Sequence, residues 1–196
     1  MTQQYSAAFI DAHRYTNLDH EWWGGVYENF HRICDILGIA LDKSEPCFSG
    51  FSSQGDGASW TGQYVARTHV ATYDTAPVAI REYAPHDETL HTIADELCLL
   101  ARIYRPVWAS VTRHSTHYVH DMTMSVGEWD YLDDVSVDDV DFVILEHIEE
   151  TLKAQFRALA CWLYKKLEAE HDYQTSDEAV VEALIANETK ETEETE

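Results

Sequence analysis

The sequence predicts an α+β fold in which an antiparallel sheet of about four strands packs against helices, with a long helix near the C-terminus. Three observations carry that prediction. Apolar residues recur at i, i+3, i+4 and i+7 in three separate stretches, the spacing of one helix face. Between those stretches the period falls to two, in segments bounded by Gly, Pro, Asn and Asp. The strand segments come in adjacent pairs, which favours antiparallel ladders over alternating βαβ units.

The chain has 196 residues, of which 45% are hydrophobic and 12% aromatic. That composition can bury a sizeable core and is too apolar for disorder. The expected organisation is a single α+β domain over residues 1–187, followed by a disordered acidic tail, 188–196. The opening MTQQYSAAFIDAHRY has no basic start and no apolar stretch of the signal-peptide kind. No apolar run approaches the roughly 20 residues that cross a bilayer. Cys34, Cys47, Cys98 and Cys161 form no CxxC pair and read as reduced, mostly buried thiols of a cytoplasmic protein.

The elements follow in order. Residues 1–17 are polar and irregular, with Tyr5, Phe9, Ile10 and Tyr15 as anchors. A helix begins near Asn17 or Asp19, both good N-caps, or only after Gly24 and Gly25, which weaken a helix by roughly 1 kcal/mol each. Its stripe is Trp22, Trp23, Val26, Tyr27, Phe30, Ile33, Cys34 and Leu37, and Gly38 ends it. Residues 46–52 and 58–65 read as the two strands of a hairpin, joined through Gln54, Gly55, Asp56 and Gly57. Gly50 and Gly62 mark bulges or close backbone approaches. Residues 66–86 read as a loop with at most one short edge strand.

Asp87 or Thr89 caps the next helix, whose stripe is Leu90, Ile93, Ala94, Leu97, Leu100, Ala101 and Tyr104, with Pro106 closing it. Residues 107–113 and 118–126 read as strands; Val107, Ala109 and Val111 share one face. Residues 128–141 read as an ordered acidic linker, since Trp129, Tyr131, Leu132, Val135, Val137 and Val140 are interleaved with the acids. A long helix then runs from about Asp141 to Tyr173, burying Ile144, Leu145, Ile148, Leu152, Phe156, Leu159, Ala160, Leu163 and Leu167. Ser176 opens a short final helix carrying Val180, Val181, Leu184 and Ile185.

Charge is the functional signal. The chain carries 36 Asp and Glu against 13 Lys and Arg, a formal net charge of −23. Between Arg113 and Lys153 there is no Lys or Arg at all. Such a load opposes compaction, and a basic partner would compensate it. The candidate partner-binding residues are Asp130, Asp133, Asp134, Asp138, Asp139, Asp141, Glu146, Glu149 and Glu150, with Trp129 and Tyr131 as aromatic anchors. The alternative is a solvated face that keeps the protein soluble. An anionic surface of this size should bind neither nucleic acid directly nor anionic lipid.

Other motifs carry less. The Gln54–Gly57 turn could expose N–H groups to an anion, but neither GxGxxG nor GxxxxGK[ST] is present, and a tight hairpin turn is the simpler reading. His114, His117 and His120 suggest a metal site with Asp121, yet strand residues three apart point to opposite faces; no metal and no cofactor are expected. GxSxG and HExxH are absent. No catalytic residue emerges, and the chain is not expected to be an enzyme.

Residues 48–60 (FSGFSSQGDGASW) resemble a motif of small bacteriophage and prophage proteins. The resemblance extends to the preceding helix, to residues 117–120 (HYVH), 163–170 (LYKKLEAE) and 175–188 (TSDEAVVEALIANE), and so covers most of the chain. The final TKETEETE departs from the aromatic ending of that pattern. The resemblance implies a phage origin, a bacterial host cytoplasm and similarity to anti-defence proteins. The expected function is therefore an acidic inhibitor of a host defence nucleoprotein complex, anti-CRISPR or antirestriction, that occupies a basic nucleic-acid-binding surface as a DNA mimic. A CRISPR effector is the first candidate partner, and a homodimer is one form the chain could take. The alternatives are a metal-dependent enzyme using the sheet histidines and a structural or regulatory phage protein.

Overall fold

A computed structural model describes residues 5–42, 46–66, 72–104, 107–114, 118–131 and 142–193. The chain is α+β. It divides into two compact units, one of Glu28–Tyr164 and one of Met1–Tyr27 with Lys165–Glu196.

The larger unit is organised by an antiparallel sheet of order β1-β4-β5-β6, made of Ile39–Leu41, Gly62–Val65, Val107–Arg113 and Met124–Tyr131. A separate two-stranded ladder pairs β2 (Cys47–Phe48) with β3 (Ala58–Ser59). The expected hairpin is therefore present, but its second strand is cut in two. Cys47 and Phe48 pair with Ser59 and Ala58, whereas β4 joins β1 and β5. The break falls at Trp60, whose ring is buried against Phe156 at 5.4 Å and Phe30 at 6.5 Å. Burying so large a ring decides the path of the strand there.

Alternation along the sheet fixes its inner face. Tyr64, Ala109 and Val111 are buried, while Gln63 and Thr112 are exposed. Against the inner face lies α5 (Phe142–Gln174), whose Phe156 ring meets Tyr64 edge-on at 5.7 Å. The α5 residues Ile148, Leu152, Phe156, Leu159 and Leu163 are each at most 2% exposed, as the sequence stripe requires. β1 was hidden from sequence reading because it is three residues long and follows Gly38 at once. Gly38 has φ 78°, the left-handed conformation that ends α2 (Gly24–Leu37) and favours glycine. Gly62 is needed for space. A Cβ there would collide with the carbonyl oxygen of Ala40 on β1 and lie 3.0 Å from the Leu41 Cα.

Two expectations are corrected in this unit. Thr72–Tyr83, within the expected loop, form helix α3. Ala76 and Ile80, four apart, bury into the core, and Arg81 holds Asp95 on α4 (Glu88–Tyr104) through two hydrogen bonds of 2.9 and 2.6 Å. Pro77 removes one helical hydrogen bond and disguised the segment. The last strand begins at Met124, not at residue 118. His120 accepts the Met122 N–H and the Thr123 hydroxyl donates to the His120 carbonyl at 2.7 Å, so Asp121–Thr123 close into a 3-10 turn. Local side-chain bonding wins over the ladder there, and the strand extends instead through Glu128 to Tyr131, where a linker was expected.

In the smaller unit, Ala7–Ala12 form the short helix α1, capped by Ser6, where irregular chain was expected. Arg14 donates to Asp177 and to the Thr175 carbonyl, both at 2.8 Å. Asn17 donates to the Gln174 carbonyl. These bonds tie the start of the chain to the turn between α5 and α6 (Asp177–Glu193). The α6 helix opens at Ser176, whose hydroxyl accepts the Ala179 N–H. It continues to Glu193, so the segment expected to be disordered from residue 188 is helical that far.

Candidate functional site

The acidic residues singled out from the sequence fall into three groups. Trp129, Asp130 and Tyr131 lie on β6, an outer strand of the sheet, in register with Ala109, Trp108 and Val107. Asp133, Asp134, Asp138, Asp139 and Asp141 lie outside the described residues. Glu146, Glu149 and Glu150 are exposed on the first turns of α5. Their i, i+3, i+4 spacing brings them onto one side of the helix, while Ile148 and Leu152, both 0% exposed, face the core. The structure therefore unites these three carboxylates in one stripe and sets Trp129 to Tyr131 on a strand.

A second cluster escaped the sequence reading. It forms around the loop between β2 and β3. Ser49 anchors the loop: its hydroxyl accepts the Gly57 N–H at 3.0 Å and donates to the Val119 carbonyl at 3.2 Å. The Asp56 carboxylate accepts the Ser52 and Ser53 N–H groups at 2.9 and 2.7 Å. Gly55, with φ 103°, makes the tight turn expected. An anion-binding loop would offer such N–H groups to a ligand, but here Asp56 takes two of them. The rings of Phe48, Phe51 and Tyr164 stack in series at 5.7 and 5.4 Å, and the Tyr164 hydroxyl donates to the Gly50 carbonyl. His120 packs on Gly57 so closely that a Cβ there would lie 3.0 Å from its ring. Residues distant in sequence thus meet at this loop: Ser49 and Val119, Gly57 and His120, Gly50 and Tyr164.

The histidines are placed differently from the strand expected. His120 caps the 3-10 turn, with its Nδ1 2.7 Å from Asp121 Oδ1. The His114 backbone N–H donates to the Thr123 carbonyl, and His117 lies outside the described residues. Among the described residues no group of three or more His, Cys, Asp or Glu side chains is arranged to hold a metal ion. Of the cysteines, Cys34 and Cys98 are buried, Cys47 half-buried and Cys161 exposed. Burial, with a smaller contribution from the charge of Asp35, pushes the Cys34 thiol well up from its ordinary value. No helix among the described residues is long and apolar enough to cross a membrane.

An α+β domain with a four-stranded antiparallel sheet, one long helix across its inner face and an anionic flank is the class these observations define. Residues 22–177 match the family model described as a domain of unknown function, DUF8835, and the chain belongs to that family. The match takes in α2, the loop cluster, the sheet, the acidic tract and α5, and leaves α1 and nearly all of α6 outside. No curated protein and no solved structure matches the chain.

Proposed function

We propose that this chain is a non-enzymatic, phage-encoded inhibitor of a bacterial host defence nucleoprotein complex, a CRISPR effector or a restriction enzyme, and that it occupies a basic nucleic-acid-binding surface as a DNA mimic. The observation that carries the reading is the stretch from residue 114 to 152, which contains no Lys or Arg within a chain of net charge −23. The stripe of Glu146, Glu149 and Glu150 supports it. At a rise of ~1.5 Å per residue the three carboxylates span about 6 Å of helix axis, an average step of about 3 Å, close to the roughly 3.4 Å between charges along one strand of a duplex. The preceding strand leads into the same tract with Glu128 and Asp130. Charge complementarity of this kind speeds encounter with a basic channel, and aromatic anchors supply residence.

Affinity capture from a bacterial host tests the reading. The retained protein should bind nucleic acid, elute as salt rises and be displaced by duplex DNA, while the isolated chain gives no gel shift with DNA at low salt. A partner that holds regardless of salt, or a sub-micromolar complex of the chain itself with DNA, contradicts it.

A further inference from the structure

The face made by α3 and α4 exposes large apolar side chains among charged ones. Leu99 is 52% exposed and Ile103 58% exposed, one turn apart on α4, and Val78 on α3 is 58% exposed. Leu99 lines a groove of about 380 Å³ together with Pro77, Asp95, Glu96, Cys98 and Arg102. Isolated exposed hydrophobics need no explanation, but grouped ones beside a groove mark a contact surface. We propose that this face is a homodimer interface in which α4 packs antiparallel on α4 of a second copy, with the two-fold axis passing at Leu99.

The order of charges along the helix points to a second copy. In an antiparallel two-fold pairing about Leu99, each position meets the one equally far on the other side of it, so every contact off the axis occurs twice. Glu96 then meets the second copy's Arg102, and Arg102 meets its Glu96. Ile103 meets the position of Asp95, whose carboxylate is already held by Arg81 through the two short hydrogen bonds described above; that contact holds Asp95 below the usual carboxylate range. Leu99 packs on Leu99 at the centre. A strongly basic partner would gain little here, because the face carries Arg81 and Arg102 beside its acids, unlike the tract from 114 to 152.

The proposal goes beyond the reading of the acidic tract, and salt separates the two. Two copies of net charge −23 repel each other, so screening should strengthen the dimer, whereas it should weaken any contact of the tract with a basic partner. Sedimentation equilibrium of the full chain should show a monomer–dimer equilibrium that shifts toward dimer as NaCl rises. Leu99→Asp should raise the dimer Kd by about a hundredfold, since two buried leucines are lost per dimer, with an unchanged circular dichroism spectrum. Glu96→Arg and Arg102→Glu should each weaken the dimer, and the double exchange should restore it. In a Cys161→Ser background, Leu99→Cys should give a dimer on mild oxidation that reductant dissolves, which keeps the test valid if a charged variant misfolds. A monomer at every salt concentration, a dimer indifferent to Leu99→Asp, or a charge exchange without rescue would overturn the proposal.

Discussion

Replacing Gly62 with Ala adds one methyl group where the sheet has no room for it. Gly62 sits in β4 between two partners, opposite Leu41 on β1 and Val111 on β5. The new Cβ would meet the Ala40 carbonyl oxygen inside contact distance and the Leu41 Cα at 3.0 Å. Both obstacles are backbone atoms of a paired strand, so no side chain can rotate away. Such overpacking costs about 1–3 kcal/mol, and the lost flexibility of the unfolded chain returns about 0.5–1 kcal/mol. The net is a destabilisation of up to about 2.5 kcal/mol, centred near 1 kcal/mol. At about 2–4 °C per kcal/mol for a chain of this size, Tm should fall by a few degrees and by at most about 10 °C. Gly25→Ala is the control. Nothing lies within 4 Å of its added methyl, and alanine is the better helix former by up to about 1 kcal/mol, so Tm should hold or rise. Thermal melts followed by near-UV circular dichroism measure both. A Gly62→Ala protein as stable as the parent, or a Gly25→Ala protein that loses as much, would refute the steric account of β1–β4 pairing.

Asp87→Ala should be destabilising by about 1–3 kcal/mol, because Asp87 accepts the Leu90 N–H as the cap of α4 and the Trp162 indole N–H at 2.7 Å; a denaturation midpoint that does not move would contradict this. In the native protein an alkylating reagent should label Cys161, which is exposed, and spare Cys34 until the chain unfolds. Burial raises both the Cys34 thiol and the Tyr64 phenol, with smaller contributions from the charges of Asp35 and Cys98. Groups raised in the folded state contribute stability that is whole below their ordinary values, near pH 9 for the thiol and 10 for the phenol. That stability is lost as pH climbs through the folded values. Tm should therefore be flat up to about pH 9 and fall above it, and Cys34→Ala should reduce the fall.

How much of this was legible in the sequence depended on length and on competing local chemistry. The helices α2, α4 and α5 were, because each runs for several turns and buries a continuous stripe. Gly38 and Asp87 also marked their helix ends correctly. α3 was not, because Pro77 sits in its middle while only Ala76 and Ile80 supply buried spacing. β1 is too short to show a period, and α1 spans six residues. The start of β6 was misplaced because a histidine cap and a threonine hydroxyl bend residues 120–123 out of the alternation they show on paper. The Glu146, Glu149 and Glu150 stripe was readable from helical spacing alone. The loop cluster was not, since Tyr164 and Gly50 are 114 residues apart and no local pattern announces that contact.

The central claim is that the carboxylates act together on a basic surface. Exposed pairs contribute only about 0–1 kcal/mol each, so single substitutions should be nearly silent and a combined one should not. The direct measurement is inhibition of the defence system by a variant in which Asp133, Asp134, Asp138 and Asp139 become Asn and Glu146, Glu149 and Glu150 become Gln, scored by survival of phage or plasmid in cells carrying that system. The account predicts a folded protein, with Tm equal to or slightly above the parent because mutual repulsion is relieved, that no longer inhibits and no longer forms the salt-sensitive complex. A folded variant that inhibits as well as the parent would contradict it and reduce the acidic tract to a solvated face.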